Sequence, residues 1–305
     1  MKILIIKTSS LGDIVHCFEG FLEAYNQQPH IKFDWLVEDV FSELPTFLPN
    51  TRKIYQSHFR KWRKNLFKKE TWRALKALVQ SINLENYDLI IDLQGLMRTA
   101  LFAKWLRFNI AHIGYDTPYE KLARLFYSKR VGVNTQHRPT QTRYLLANVL
   151  NYKSNPDSRH FLINENTATT PHKILFFPNT SLRKKTWHKW DVLAKTLTSF
   201  GIDVSVLNGS IKEYETNSQL ITNASILKPY SLNKTKDIIS KATLVIGVDT
   251  GLTHLACMMH IPCISIYGKS VTSPNHFAIR HKTHRIIEEK LETLSETQVL
   301  DVVWA

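Results

Sequence analysis

Cysteine is scarce. The 305-residue chain has three, Cys17, Cys257 and Cys263, with no CxxC pair and no His/Cys grouping at zinc spacing. Neither a disulfide framework nor a zinc finger is signalled, and a reducing cytoplasm is the expected compartment. Long apolar runs are also missing: residues 3–6 (ILII) are cut off at once by Lys7, too short for a secretion signal. No run approaches the ~18 residues of a membrane helix, so the chain is expected neither to leave the cell by that route nor to span a bilayer. Hydrophobic residues make up 43% and charged residues 22%. That balance excludes wholesale disorder, a collagen-like fibre and a disulfide-stapled miniprotein, and the length suits two domains of ordinary size or one large one. Two nucleotide fingerprints, GxGxxG and GxxxxGK[ST], are absent, which disfavours a Rossmann oxidoreductase. There is no D-x-D pair to clamp a metal ion against a diphosphate, so no metal or other cofactor is expected.

Acidic residues are the remaining shortfall. Asp and Glu total 26 against 40 Lys and Arg, a net charge of +14. Residues 1–150 hold 22 basic and 13 acidic residues, against 18 and 13 in residues 151–305. The surplus peaks at residues 52–76, where ten residues are basic, only Glu70 is acidic, and Trp62, Phe67 and Trp72 are interleaved. A phosphate-rich ligand, a nucleic acid or an anionic membrane face would each account for such a window. The competing reading is a merely solvated helix face.

Apolar runs alternate with helical spacing along the chain. Strands are predicted at residues 2–8, 32–38 and 87–92 (YDLIID), with helices after the first and third. A polar stretch at residues 152–170, ending near Pro171, reads as a linker. The alternation then restarts, with strands at 173–177, 203–207, 243–248 and 263–267 and helices near 189–200, 213–221, 232–240 and 250–259. The expected fold is α/β, two doubly wound parallel-sheet units covering residues 1–165 and 166–305.

Three loops lie where strands end, the side on which open α/β sheets bind ligands. KTSSLGD (7–13) offers Gly12 for a tight turn and Asp13 as a carboxylate held ionised by helix-terminal N–H groups, a candidate proton acceptor. The alternative is that Asp13 only caps a helix. VDTGLTH (248–254) joins a strand to a helix start, a phosphate cradle, with Thr250 and His254 one turn apart. PNTSLRKKTW (178–187) supplies hydroxyls and amines; Lys185 is suited to charge growing on a departing phosphate, or the loop is simply solvated with Trp187 in the core. Glu213 could hold a ribose or merely start a helix, Asp92 reads as a cap, and the cysteines read as small core residues.

Together, KTSSLGD, FDWLVE, RKWRKNLF, YDLIIDLQGL, TSLRKKTW and VIGVDTGLTHLA resemble the ADP-heptose:lipopolysaccharide heptosyltransferases of glycosyltransferase family 9. The resemblance runs in order over nearly the whole chain, and KTSSLGD with RKWRK is nearer the branch that adds the first heptose. It implies the GT-B architecture, two Rossmann-like domains facing across a cleft, acceptor on the N-terminal one and nucleotide-sugar on the C-terminal one, with the final helix packing back on the first domain. It implies inverting transfer of L-glycero-D-manno-heptose from ADP-heptose to the first Kdo of Kdo-lipid A. It makes Asp13 the base and implies that Thr180, Ser181, Lys185, Glu213, Asp249, Thr250, Gly251 and His254 hold the donor. Ser10, Gly12, Arg60, Arg63, Lys64, Arg98, His137 and Arg143 would meet the acceptor. Implied partners are ADP-heptose, Kdo-lipid A and the anionic cytoplasmic face of the inner membrane, for a monomer that binds no nucleic acid.

Overall fold

A computed structural model describes residues 1–106, 110–163, 171–180 and 182–305, with only the backbone of Arg183. Contacts divide the chain into two units, Met1–His160 and Phe161–Ala305. The boundary expected at residue 165 falls in the stretch 164–170, outside the described residues.

The first unit is a six-stranded parallel sheet in the order β3-β2-β1-β4-β5-β6. Its strands are β1 (Lys2–Ile6), β2 (Lys32–Glu38), β3 (Thr51–Ser57), β4 (Leu89–Asp92), β5 (Ala111–Tyr115) and β6 (Lys129–Val131). Ile5 of β1 pairs with Trp35 on one side and Ile91 on the other. Helices cover both faces of this sheet, so β1 and β4 at its centre read as nearly continuous apolar runs. The helices are α1 (Leu11–Val15), α2 (Phe18–Gln27), α3 (Phe59–Arg63), α4 (Lys69–Asn83), α5 (Met97–Trp105) and α6 (Arg138–Leu150). The single helix expected after β1 is broken in two at His16 and Cys17, where the Cys17 N–H turns back to the Ile14 carbonyl.

The second unit repeats the plan with strand order β12-β11-β10-β7-β8-β9. It runs β7 (Lys173–Phe177), α7 (Trp190–Ser199), β8 (Asp203–Leu207), α8 (Ile211–Leu220), β9 (Ser225–Leu227), α9 (Leu232–Ile239), β10 (Leu244–Val248), α10 (Gly251–Met258), β11 (Cys263–Gly268), α11 (Pro274–Phe277), β12 (His284–Glu289) and α12 (Glu296–Trp304). The α12 helix lies against α7 of its own unit, with Trp304 edge-on to Phe200 at 5.6 Å. Gly247 in β10 is required by close packing: a Cβ there would overlap the Thr253 hydroxyl, which donates to the Val248 carbonyl at 2.8 Å. The absence of a side chain lets α10 start directly on its strand.

Arg143 corrects the sequence reading. Instead of facing an acceptor it is buried on α6, its side chain 2% exposed, donating to Glu23 at 2.9 Å, Glu19 at 3.3 Å and the Ser158 carbonyl at 3.1 Å. Ser154 also donates to Glu23 at 2.9 Å, so the start of the polar linker is bound to the first unit. Burial pushes the Glu19 carboxyl up even with the Arg143 charge beside it. Replacing Arg143 with methionine would strand two buried carboxylates, an expected loss of ~3–5 kcal/mol. Urea unfolding measures this; a near-normal midpoint would contradict it.

Candidate active site

At the carboxyl end of β1, residues 7–10 are held from below by the end of β4. Gln94 Oε1 accepts from the backbone N–H groups of Thr8 and Ser9, both at 2.9 Å, and Lys7 Nζ donates to the Leu93 carbonyl at 3.2 Å. Asp92, fully buried, accepts from the N–H groups of Gln94 and Gly95 and from the hydroxyls of Thr99 and Tyr127. It is a structural anchor, as its sequence context suggests.

Ser10 caps α1, and Asp13 three residues on returns the bond: Asp13 Oδ2 accepts from the Ser10 N–H at 2.9 Å and its hydroxyl at 2.7 Å. Asp13 therefore does cap the helix, yet Oδ1 has no hydrogen-bond partner among the described residues. Burial opposes its ionisation, but Lys7, both Ser10 donors and His16 outweigh it and hold the carboxyl below its ordinary value. The result is an ionised carboxylate with one oxygen fixed and one available.

In the second unit, Lys185 Nζ donates to Asp249 Oδ2 at 2.5 Å and His254 Nε2 lies 3.1 Å from Oδ1. Asp249 is buried; that penalty is overcome by His254 and then Lys185, and its carboxyl is held well below the ordinary range. One carboxylate thus aims a lysine from the loop after β7 and a histidine from α10 at the same place. Thr250 is the N-cap of α10 in an extended conformation and makes no side-chain capping bond. The first-turn amides, including that of Gly251, are left unmet by the cap and present the positive end of the helix dipole.

A depressed carboxyl contributes stability that is complete above the ordinary aspartate range and is lost as pH falls through the lowered folded value. The Asp249 contribution is therefore expected to persist down to about pH 4 and fade below it. Acid unfolding checks this: Asp249→Asn should flatten the acid arm, and an unchanged arm would contradict the assignment.

The other candidates fall as follows. The Thr180 hydroxyl accepts from the Leu182 N–H at 3.3 Å, at the rim of a 400 Å³ cavity bounded by α7 and α8. Ser181 lies outside the described residues. Glu213 starts α8, its Oε2 taking the Gly209 N–H at 2.7 Å, so the helix-start role is real. Trp187 is buried and donates to the Leu294 carbonyl. Arg60, Arg63, Lys64 and Arg98 are exposed on α3, just after it and on α5, and His137 caps α6 with Nδ1 2.7 Å from the Thr140 hydroxyl. Sequence reasoning missed three asparagines. Asn217 donates to Asn208 Oδ1 at 2.7 Å and to Asn179 Oδ1 at 3.0 Å, tying the loop that carries Thr180 to β8 and α8. Being 29 and 38 residues from Asn179, these partners carry no local signal.

A model of glycosyltransferase family 9 (heptosyltransferase) matches residues 75–302. The chain belongs to glycosyltransferase family 9. Among family relatives, lipopolysaccharide heptosyltransferase 1 of Escherichia coli K12 is 32% identical over 282 residues, spanning 88% of each protein. The solved E. coli heptosyltransferase WaaC with ADP matches at TM-score 0.89 and 29% identity, covering 100% of this chain and 99% of that one. WaaC with ADP-2-deoxy-2-fluoro heptose matches at TM-score 0.87 and 28% identity, with the same coverage. The two parallel-sheet units of this family 9 chain are therefore those of the solved heptosyltransferases.

One grouping in the family 9 chain was not foreseen. Cys257 and Cys263, which read as separate core residues, come together with His281, their ligating atoms all within 4.8 Å of one another. The histidine arrives from the loop before β12, so no spacing motif exists to be read.

Proposed function

We propose that this chain is an inverting glycosyltransferase that moves L-glycero-D-manno-heptose from ADP-heptose to the first Kdo of Kdo-lipid A, in assembly of the lipopolysaccharide inner core. The observation that carries this reading is the Asp249 cluster, which aims Lys185 and His254 beside the open N-terminus of α10, in a chain of the heptosyltransferase family. A fixed cation and helix-terminal N–H groups suit a diphosphate that gains charge as it leaves.

In this reading the acceptor hydroxyl gives its proton to Asp13 Oδ1 as its oxygen bonds to the anomeric carbon. The glycosyl–phosphate bond breaks on the opposite side, inverting that centre, and its electron pair departs with ADP. Lys185 and the α10 amides meet the new charge, so the chemistry calls for no metal or other cofactor. Thr180, Ser181, Asp249, Thr250, Gly251 and His254 hold diphosphate and heptose, and Glu213 the ribose. Ser10, Gly12, Arg60, Arg63, Lys64, Arg98 and His137 face the acceptor, whose phosphates and carboxylates suit them. The donor then belongs to the second unit and the acceptor to the first, at the anionic cytoplasmic face of the inner membrane.

A thermal-shift panel tests the donor. A ligand that binds only the folded state stabilises it by roughly 2.7 kcal/mol at a hundredfold excess over Kd. ADP and ADP-heptose should raise Tm while UDP-sugars and NADH do not; the reverse pattern would overturn the reading.

A further inference from the structure

A cluster of large apolar side chains lies in the most cationic stretch of the sequence, residues 52–76 and the helices around it. Between α3, α4 and α5 runs a groove of about 260 Å³, walled by Phe59, Trp62, Leu75 and Phe102 with Trp72 and Trp105 at its mouth. The two mouth tryptophans lie 6.1 Å apart. Their exposure is 51% and 49%, that of neighbouring Leu66 is 50%, and Phe67 is fully exposed. A soluble protein does not leave so many large apolar side chains together in water without a use for them. The groove is not a failure of packing, because its floor is built: Phe59 meets Trp62 and Phe102 edge-on at 5.4 and 5.5 Å, and Trp72 Nε1 is satisfied by the Leu66 carbonyl at 2.7 Å.

Charge decides the occupant. Of the ten cations at residues 52–76, Arg52 and Lys53 are neutralised by Asp34 and Glu85. The other eight make no ion pair among the described residues, and Arg63 and Arg98 line the groove itself. An apolar slot rimmed by tryptophan and ringed by unpaired lysines and arginines matches the interfacial layer of a membrane. There, aromatic rings sit at headgroup depth and long basic side chains reach up to phosphates.

We propose that the groove between α3, α4 and α5 receives an acyl chain of an anionic bilayer lipid, so that the first unit inserts into the membrane face rather than only adhering to it. The unpaired cations outside the acceptor set, Lys61, Lys68, Lys69, Arg73 and Lys76, bind headgroups, and the groove with its rim supplies apolar burial. The two parts respond differently to salt. Electrostatic adsorption collapses when the Debye length shrinks, and burial of apolar surface does not. The inference deepens the proposed function by giving its membrane contact a place and a mode, and it rests on that reading for its setting alone.

The test is co-sedimentation of the full chain with vesicles of equal parts phosphatidylglycerol and phosphatidylcholine, containing no acceptor. Binding is expected, with tryptophan emission shifted to the blue and quenched by lipids brominated along the acyl chain. A fraction should survive about 1 M salt, where the Debye length is ~3 Å. The double variant Phe67→Ser, Trp72→Ser should bind at least tenfold more weakly and lose the salt-resistant fraction, while turning over a water-soluble, deacylated acceptor at the wild-type rate. Both positions are exposed, and the wild-type quenching result stands without any variant. Absence of vesicle binding, binding wholly released by salt, unquenched emission, or capture of an acidic amphipathic peptide in place of vesicles would each overturn the inference. Failure of wild-type transfer to the soluble acceptor would instead count against the proposed reaction, leaving vesicle binding to stand on its own.

Discussion

Asp13→Asn is expected to lower kcat by about 10²–10⁴-fold, the range for removing a positioned general base, while KM for both substrates and the folded structure change little. The substitution keeps shape and size, and asparagine has an oxygen that can still accept from Ser10. What it removes is the negative charge and the basic oxygen. Loss of the cap alone costs ~0.5–2 kcal/mol of stability, so a normal Tm with a collapsed rate separates the two roles this residue combines. Because Lys7, Ser10 and His16 hold the carboxyl below its usual value against burial, Asp13 stays ionised down to about pH 4. The wild-type rate should accordingly show no acid limb from this group above that pH. Steady-state kinetics over a pH series checks both statements, and near-normal turnover in the folded variant would remove Asp13 as base.

Lys185→Met is expected to lower kcat about 10²–10³-fold, comparable to removing one preorganised donor from a site of developing negative charge. The effect should fall mainly on kcat, because the charge on the β-phosphate grows only as the glycosyl bond breaks. Methionine retains most of the stem. The variant also strips Asp249 of its lysine partner, and that carboxyl should move up toward its ordinary range. Asp249→Asn probes the same unit from the other side by loosening both Lys185 and His254; combining the two should cost less than the sum, since each already disables the shared cluster. A raised KM with kcat unchanged would mean that Lys185 binds ADP equally before and during reaction, contradicting the leaving-group role.

How much of this was legible in the sequence follows from what each residue has to satisfy. The central strands β1, β2, β4, β7, β8, β10 and β11 are covered on both faces and appear as apolar runs. The strands that went unread include all four sheet edges: β3 (TRKIYQS), β6 (KRV), β9 (SIL) and β12 (HRIIEE). Three of these face water and carry charge, so their alternation is masked, and uncharged β9 is only three residues long. Interior β5 (AHIGY) was hidden by a histidine and by Gly114, whose missing side chain makes room for the Tyr127 ring. The site loops were legible because strand-to-helix turns concentrate glycine, hydroxyls and acids in short stretches. What joins them was not: Gln94 reaches back 86 residues to Thr8, and Asp249 reaches 64 to Lys185. The resemblance places Arg143 among the acceptor contacts, and only tertiary structure reveals that it is buried against Glu19 and Glu23.

The most direct test of the central claim is an NMR-followed incubation of the purified chain with ADP-L-glycero-D-manno-heptose and Kdo-lipid A. One ADP should appear for each heptose attached to the first Kdo, and the new glycosidic bond should have the anomeric configuration opposite to that of the donor. A product that retains the donor's configuration, or no transfer from this donor to this acceptor, would contradict it.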